Sequence, residues 1–366
     1  MFPSAEHPAL RGFHIQQRLG SGGVGQVYLA RSKGGRLVAI KVLSDARDRD
    51  AAFAHALVRE ASLCVRLNHP AIVQVRAFIE EGGFAAIVFE YVEGIALARL
   101  LRFCASARVR LPDAVAWHVV ERVLTALAFA HAQVDESGQV APIVHRDVSL
   151  SNVLLSWEGD AKLTDFGIAK MLGVSPATQF GLVKGTLGCM APEQARGEPV
   201  DQRADVYAAG LLAWRLATGR SPFARHNDEM ELLRAMRNPR IKPLSALRPK
   251  LAPALLAAVD AALSIEPQDR TMSAARFAEV VRDGADVSMG KGDLRDLLSR
   301  WRDSLDPKRG SDASTESVSS GAHWGTSRYE DVHLDEEVVP DGPTVEIQAL
   351  PGDDEVWARL RPLSRG

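Results

Sequence analysis

Residues 145–152 read His-Arg-Asp-Val-Ser-Leu-Ser-Asn, and an Asp-Phe-Gly triplet follows at residues 165–167. Three side chains in these two runs end in oxygen atoms that suit phosphate chemistry: Asp147, Asn152 and Asp165. A carboxylate can orient a nucleophilic hydroxyl group, and carboxylate or amide oxygens are the ligands that Mg²⁺ prefers. The spacing therefore predicts that these side chains meet at one site beside a triphosphate and its metal ions.

The composition is that of an ordinary globular protein. Of the 366 residues, 46 % are hydrophobic and 25 % are charged, and the formal net charge is -2. This balance gives no electrostatic reason to expect binding to nucleic acid or to a membrane surface. The three cysteines are too few for a disulfide framework, residues 1–12 lack a signal peptide, and no apolar run of about 18 residues could span a bilayer. We expect a cytoplasmic protein with no membrane partner.

The first part of the chain predicts a small β-rich lobe. Two β-type runs flank a glycine-rich turn within residues 13–30, a third lies at 37–42, and two more lie at 72–79 and 84–92. Between them, apolar residues recur every three or four positions from 51 to 67, which indicates an amphipathic helix. We therefore expect a five-stranded, mostly antiparallel sheet with one helix.

The pattern becomes helical after residue 94. Short strand-like pieces at 153–155 and 161–163 bracket the two motifs quoted above. Further helices are predicted at 204–218, 227–236, 252–264 and 273–282. A small β-rich lobe next to a larger helical lobe is the architecture that this order implies. From about residue 284 the chain becomes rich in Ser, Gly and acidic residues, and we expect a largely disordered tail with a short amphipathic patch at 294–305.

Gly20, Gly22 and Gly25 form a Gly-x-Gly-x-x-Gly motif, which alone is weak evidence for a phosphate site. In dinucleotide-binding folds a helix follows this motif, whereas strand-type sequence follows it here. Glycines let backbone N–H groups close over phosphates without Cβ clashes, although a plain glycine-rich hairpin is the alternative. Lys41 ends the third apolar strand, where its charge favours a partner, and Glu60 on the predicted helix is the candidate.

Together with Ala191-Pro192-Glu193, these motifs resemble those of the eukaryotic-like (Hanks-type) bacterial Ser/Thr protein kinases, over about residues 13–282. Each motif alone is common, but the combination at these separations is highly specific. The resemblance implies an α+β, bilobal protein-kinase fold. The implied domains are an N-terminal extension at 1–12, a kinase domain at 13–283 with its N-lobe at 13–92 and its C-lobe at 95–283, and a tail at 284–366.

The resemblance also implies ATP and Mg²⁺ as cofactors and protein Ser or Thr hydroxyls as substrates. Asp147 would be the catalytic base, and Lys41, paired with Glu60, would hold phosphate oxygens. Asn152 and Asp165 would bind the metal ions. The residues expected around ATP are Leu19, Gly20, Gly22, Gly25, Val27, Ala39, Lys41, Glu90, Val92 and Leu154. Of these, the apolar Leu19, Val27, Ala39 and Leu154 would enclose adenine, and the backbone of residues 90–92 would contact its edge.

Further kinase-like positions would hold the C-lobe and its activation segment. Asp205 would brace the backbone of the 145–152 loop, and Arg270 would pair with Glu193. The apolar stack that links the lobes would consist of Cys64, Val75, His145 and Phe166. The Gly-Thr pair at 185–186 favours Ser/Thr substrates, and the candidate phosphorylation sites are Thr178, then Ser175 and Thr186.

Ser149 departs from the pattern, because most Ser/Thr kinases have a lysine at this position. A hydrogen bond to a charged group is worth about 1.5–3 kcal/mol, so its loss would slow transfer roughly 10- to 150-fold. Two functions therefore compete. The chain is either an active kinase that gains the charge elsewhere, for example from Lys184, or a nucleotide-binding pseudokinase that serves as a scaffold. A small-molecule phosphotransferase is disfavoured because it would not need the Ala-Pro-Glu motif.

The tail contains several Ser and Thr residues between acidic ones. This pattern is typical of an autophosphorylation region or of a docking peptide for a protein partner, and equally of a solvated extension.

Overall fold

The computed structural model describes residues 7, 10–22, 25–43, 66–81, 84–135, 137–166, 188–225 and 228–305. Most of the helix predicted at 51–67, with Glu60 and Cys64, lies outside these ranges. So do the candidate phosphorylation sites between 167 and 187, and the tail from 306 onward.

The N-lobe is built on one antiparallel sheet of five strands, which confirms the predicted sheet. Its strands are β1 (Phe13–Gly22), β2 (Gly25–Ser32), β3 (Leu37–Leu43), β4 (Val75–Glu81) and β5 (Phe84–Glu90), in the order β1-β2-β3-β5-β4. Alternate residues of β2 and β3 are buried on opposite faces, with Val27 and Ala39 on one face and Tyr28 and Ile40 on the other. The face with Val27 and Ala39 is continuous with the core of the C-lobe.

A second, three-stranded sheet joins the lobes. It consists of β6 (Gly94–Ala96), β7 (Val153–Ser156) and β8 (Ala161–Leu163), in that order and antiparallel. Leu163 also exchanges backbone hydrogen bonds with the chain before β4, because its N–H donates to Ala71 O at 2.8 Å and its carbonyl accepts from Val73 at 2.9 Å. The loop that carries residues 145–152 therefore leads into a sheet that is bonded to both lobes.

The C-lobe is helical, as predicted. Its helices are α1 (Leu97–Ala107), α2 (Asp113–His131), α3 (Pro192–Arg196), α4 (Gln202–Thr218), α5 (Glu229–Arg237), α6 (Leu244–Leu247), α7 (Pro253–Ala262), α8 (Ala274–Gly284), α9 (Gly290–Arg300) and α10 (Arg302–Leu305). Helices α2 and α4 pack against each other and are apolar on almost all sides, which is typical of helices at the centre of a lobe. Within the described ranges no helix is both long enough and apolar enough to cross a bilayer.

The packed structure continues beyond the predicted domain boundary at residue 283. Helix α9 packs on α2, and α10 contacts α1. The amphipathic patch predicted at 294–305 lies in this segment, with Leu294 and Leu298 fully buried. The tail predicted from residue 284 therefore begins with two helices that belong to the C-lobe.

A buried ion pair joins distant parts of the C-lobe, as the sequence predicted. Both terminal nitrogens of Arg270 donate to the carboxylate of Glu193, at 2.6 and 2.8 Å, and both side chains are buried. The same guanidinium donates to the carbonyl groups of Ser264, Ile265 and Arg203. The remaining donors of this buried charge are thus satisfied, which is the condition under which a buried pair is stable.

The loop at 145–152 is held from below by α4. One oxygen of Asp205 accepts the N–H of His145 at 2.7 Å and the other accepts the N–H of Arg146 at 2.8 Å. This confirms the prediction that Asp205 supports the backbone of the loop. His131, the last residue of α2, lies 2.8 Å from the same carboxylate through Nε2. Arg146 adopts φ 63°, a left-handed conformation that is unfavourable for a side chain with a Cβ, so these contacts offset local strain.

Substitution of Arg270 tests how much its buried pair with Glu193 contributes to the free energy of unfolding. We expect Arg270→Ala to lower the free energy of unfolding by about 3–5 kcal/mol, because it leaves the charge of Glu193 buried and alone. The matched control is Arg276→Ala, since Arg276 pairs with Glu279 at 2.8 Å on the exposed surface and its pair is worth no more than about 1 kcal/mol. Chemical denaturation of both variants measures the difference. Equal losses would show that the buried pair has no special weight.

The buried imidazole of His145 predicts a pH dependence. Its Nε2 donates to Thr164 O at 3.0 Å and its Nδ1 accepts the N–H of Asp147 at 3.2 Å, so the ring is neutral. Burial lowers the pKa of His145 below 6.5 and outweighs the nearby carboxylates. At a pH between the folded and unfolded pKa values, His145 therefore binds a proton in the unfolded chain but not in the folded protein. Stability from this group is complete above its unfolded pKa and falls as the pH decreases below it, by up to about 1.4 kcal/mol per pH unit.

Thermal unfolding of wild type and His145→Gln between about pH 5 and pH 8 measures this contribution. We expect the variant to be less stable at neutral pH but to lose less stability as the pH falls. Parallel curves would contradict the assignment of this pH dependence to His145.

Candidate active site

The structure brings Lys41 and Asp165 together. Lys41 lies on β3 opposite Val27 of β2 and Ile87 of β5, and its ammonium group is 2.9 Å from Oδ1 of Asp165. Both side chains are largely shielded, at 13 % and 15 % exposure. Asp165 has φ 59°, a left-handed conformation that few residues with a Cβ adopt. Strain of this kind concentrates at functional sites, where the surrounding structure holds it in place.

Asp147 and Asn152 also meet. The amide nitrogen of Asn152 donates to the backbone carbonyl of Asp147 at 2.8 Å and to its carboxylate at 3.0 Å. Two oxygen acceptors fix the orientation of the amide, so the side-chain oxygen of Asn152 is the atom left for a metal ion. The backbone carbonyl of Asn152 accepts the N–H of Thr164 at 2.8 Å, next to Asp165. The residues predicted to act on the hydroxyl and on the metal are thus directly linked.

The donor set fits a hard divalent cation. Asp165 offers carboxylate oxygens and Asn152 an amide oxygen, and both belong to the ligand type that Mg²⁺ prefers. Magnesium is commonly held by one or two protein ligands together with phosphate oxygens and water, so a pair is sufficient when ATP is bound. The described residues contain no cluster of three or more His, Cys, Asp or Glu side chains that could hold a metal alone.

Ser149 is buried in the loop, and its hydroxyl has no hydrogen-bond partner among the described residues. Its backbone carbonyl accepts the N–H of Asn152 at 3.1 Å, so its backbone shapes the turn. A buried hydroxyl without a partner costs about 1–3 kcal/mol. The residue that departs from the expected lysine is therefore placed at the site, but the described structure shows no polar contact that replaces the lysine charge.

The apolar residues predicted around ATP lie between the lobes. Leu19, Val27, Ala39, Val92 and Leu154 are all buried in the cluster that spans the N-lobe and the C-lobe. They come from β1, β2, β3, the segment after β5, and β7. The structure therefore gathers five side chains from separate parts of the chain into one apolar region.

The glycine-rich turn joins β1 and β2, as predicted. Gly20 is paired with Val27 and Gly22 with Gly25, while residues 23 and 24 lie outside the described ranges. Gly25 has φ 151°, and a Cβ there would lie 1.9 Å from the carbonyl oxygen of Val42. Only glycine allows this approach between β2 and β3.

Glu90 holds the connection between the lobes through its side chain. One oxygen accepts from Lys162 of β8 at 2.6 Å and from the N–H of Gln74 at 3.0 Å. Its own N–H donates to Gln74 O at 2.9 Å, so that N–H is not available to a ligand. Of the two residues predicted to contact adenine here, Glu90 thus has a visible structural role, and Val92 lies in the apolar region.

Sequence reasoning missed three contacts of this site. His131 supports Asp205, Lys162 supports Glu90, and the side chain of Gln194 donates to the carbonyl of Arg146 at 2.9 Å. The position of Gln194, directly after Ala-Pro-Glu, is a signal that could have linked it to the loop. A single His at a helix end and a Lys in a short strand carry no such signal.

Cys189 packs beneath the catalytic loop. Its thiol lies 3.9 Å from the guanidinium of Arg215, and burial raises its pKa. A thiol that stays protonated is a poor nucleophile, so this position is apolar packing and not a reactive site. Glu60, the predicted partner of Lys41, lies outside the described residues, as does Lys184.

Comparisons with known proteins agree with this geometry. The model of the protein kinase domain family matches residues 13–280. The chain is 36 % identical over 271 residues to the tyrosine-protein kinase MasK of Myxococcus xanthus, and this match covers 73 % of the chain and 42 % of MasK. It is 35 % identical over 275 residues to the serine/threonine-protein kinase PknA of Mycobacterium tuberculosis, and this second match covers 74 % of the chain and 60 % of PknA. The chain thus spans about half the length of these relatives.

The fold is also similar to solved kinase structures. The crystal structure of the PknI kinase domain of Mycobacterium tuberculosis matches with a TM-score of 0.56 and 32 % identity, over 75 % of this chain and 96 % of that domain. The family match covers both lobes and every motif described above. The chain therefore belongs to the protein kinase domain family, in its bacterial Hanks-type branch.

Proposed function

We propose that this protein is an ATP- and Mg²⁺-dependent Ser/Thr protein kinase that phosphorylates protein hydroxyls, including its own. Two pairs of contacts support the proposal: Lys41 with Asp165, and Asp147 with Asn152, at 2.8–3.0 Å. The backbone hydrogen bond from Thr164, next to Asp165, to Asn152 joins the two pairs. A scaffold would not need a base, two metal ligands and a phosphate-binding lysine in the same place. Membership of the kinase family supports the same conclusion.

The reaction follows from the positions of these groups. Asp147 accepts the proton of the substrate hydroxyl, whose oxygen forms a bond to the γ-phosphorus as the bond from this phosphorus to the bridging oxygen of ADP breaks. Lys41 would neutralise phosphate oxygens, and Asp165 and Asn152 would hold Mg²⁺, which would supply positive charge to the triphosphate. Catalysis depends on positioning and electrostatics, with no covalent intermediate on the protein.

Ser and Thr are the proposed acceptors, although MasK is named a tyrosine-protein kinase. The Gly-Thr pair at 185–186 supports Ser/Thr specificity, as does the similarity to PknA. Peptides that differ only in Ser, Thr or Tyr at the acceptor position test this choice. Faster phosphorylation of the Tyr peptide would overturn it.

A nucleotide-binding pseudokinase is the second candidate, and Ser149 is the observation in its favour. Its neutral, buried hydroxyl brings no charge to the γ-phosphate. Such a protein would bind Mg²⁺ and ATP tightly and incorporate no phosphate, and it would act through its partners.

We propose the cytoplasm as the location for either function and a protein partner for the tail.

Loss of the base separates these two functions. We expect Asp147→Asn to lower phosphate incorporation from labelled ATP by about 10²- to 10⁴-fold, because an amide cannot accept the hydroxyl proton. The control is Asp201→Asn, since Asp201 is an exposed residue that caps the N-terminus of α4 and an Asn retains that cap. Phosphosite mapping with nucleotide-binding measurements reports both properties. Tight nucleotide binding without incorporation in wild type would identify a pseudokinase.

Substitution of Ser149 tests the missing charge. We expect Ser149→Lys to raise kcat, by up to roughly 10- to 150-fold if the charge is rate-limiting. Ser149→Ala is the control, and its kcat is expected to stay within about twofold, because the hydroxyl has no described partner to lose. Single-turnover kinetics measures both. A lower rate in Ser149→Lys would show that the site gains its charge from another residue.

A further inference from the structure

The segment that follows the family match packs on helices α1 and α2 of the C-lobe. Helix α9 lies on α2, and Leu294, Leu297 and Leu298 are buried in the main core cluster. Trp301, directly after α9, is also buried and packs on Phe103 of α1, with ring centroids 4.8 Å apart. We call residues 285–305 the brace. Its apolar face is thus covered in the same way as that of the C-lobe helices within the family match.

Two glycines show how closely the brace is fitted. A Cβ on Gly290 would lie 2.4 Å from Cβ of His118 and 2.6 Å from Ala114 O, both on α2. Gly159, in the turn between β7 and β8, has φ 84°, and a Cβ there would lie 2.2 Å from Lys291 O. Distances this short exclude a side chain. Glycine at 290 therefore lets the brace approach α2, and glycine at 159 lets the β7–β8 turn approach the brace.

Polar and aromatic contacts extend the brace toward the connection between the lobes. Lys291 forms an ion pair of 2.6 Å with Asp160, in the turn between β7 and β8. The guanidinium of Arg302 lies 4.9 Å from the ring centre of Trp157, and its Nη2 is 4.0 Å from Glu93. Arg302 therefore touches both the β7–β8 turn and the residue that follows the predicted adenine-binding segment.

These contact points are joined to the adenine region by short backbone paths. The N–H of Trp157 donates to Glu93 O at 3.1 Å, one residue after Val92. Strands β6 and β7 pair Ala96 with Leu154, whose side chain belongs to the predicted adenine pocket. The segment at 90–96 and the chain from β7 into the β7–β8 turn thus carry residues of the predicted nucleotide site next to residues that contact the brace.

We propose that the brace positions the nucleotide site, with Arg302 as the positioning residue that acts through Trp157 and Glu93. Loss of brace contacts lets the β7–β8 turn and residues 90–96 move, and nucleotide binding weakens. The inference rests on the proposed ATP site but not on phosphoryl transfer, because nucleotide binding is its readout.

Two alanine variants on the same helix test the fit. Gly290→Ala places a methyl group against α2, whereas Gly292 has nothing within 4 Å of its Cβ position. Because both changes have the same effect on helix propensity, their difference reports docking. We expect the Kd for Mg·ADP, measured by calorimetry on the full chain, to rise about 5- to 10-fold in Gly290→Ala and less than about twofold in Gly292→Ala. Equal Kd values in the two variants would overturn the proposal.

A second pair keeps the proposal testable if Gly290→Ala does not fold. Arg302→Ala removes the contacts with Trp157 and Glu93, while the control Arg300→Ala changes an exposed residue two positions away. We expect faster hydrogen exchange at the amides of 91–96 and 153–158 and a higher Kd for Mg·ADP in Arg302→Ala only. Arg302→Lys is expected to restore part of the affinity, since it retains the charge.

The outcomes separate a positioning role from a local one. Faster exchange confined to residues 290–305, with an unchanged Kd, would show that Arg302 stabilises only the brace and would overturn the inference. Failure of the proposed kinase activity gives a different pattern. Phosphate incorporation would then be absent from wild type, while the effects of Gly290→Ala and Arg302→Ala on Mg·ADP binding would remain.

Discussion

The site depends on the hydrogen bonds that the carboxylate of Asp205 accepts. Its two oxygens accept the N–H groups of His145 and Arg146, and one of them also meets His131. A buried carboxylate is stable only when such donors surround it, and a strained backbone at Arg146 persists only when such an acceptor holds it. The N–H donors therefore stabilise the buried carboxylate, and the carboxylate holds the strained backbone at Arg146. Together these contacts fix the loop that carries Asp147.

The loop then transmits this order to the metal-binding side. Asn152 returns to Asp147 through its amide group, and His145 reaches Thr164, the residue before Asp165. The ring of His145 also packs on Phe166, with centroids 4.5 Å apart. Hydrogen bonds therefore connect Asp205 of the central helix α4 through His145 to Thr164. The next residue, Asp165, forms the ion pair with Lys41. The sheet of the N-lobe completes the cleft by presenting Lys41 on a strand buried on both faces.

The fold could be predicted from the sequence, and the site residues could be proposed from it, because each motif combines a residue type with a specific chemical role. The Asp-Asn spacing in the loop, the glycine turn and the Glu193–Arg270 pair can each be recognised without coordinates. Contacts such as Lys162 with Glu90 could not be predicted, because they depend on how β8 of the small sheet lies against the end of β5 in the N-lobe sheet. The amphipathic pattern at 294–305 predicted an apolar face, but periodicity alone does not say which surface that face covers.

The brace has a consequence for where this protein divides into parts. The family match ends at residue 280, and every group proposed for catalysis lies before that point. Leu294 and Leu298 nevertheless fill the groove beside α2 as completely as any residue of the family core. A chain cut at residue 280 would therefore keep every group proposed for catalysis but would expose to water the apolar surface beside α2 that Leu294 and Leu298 cover.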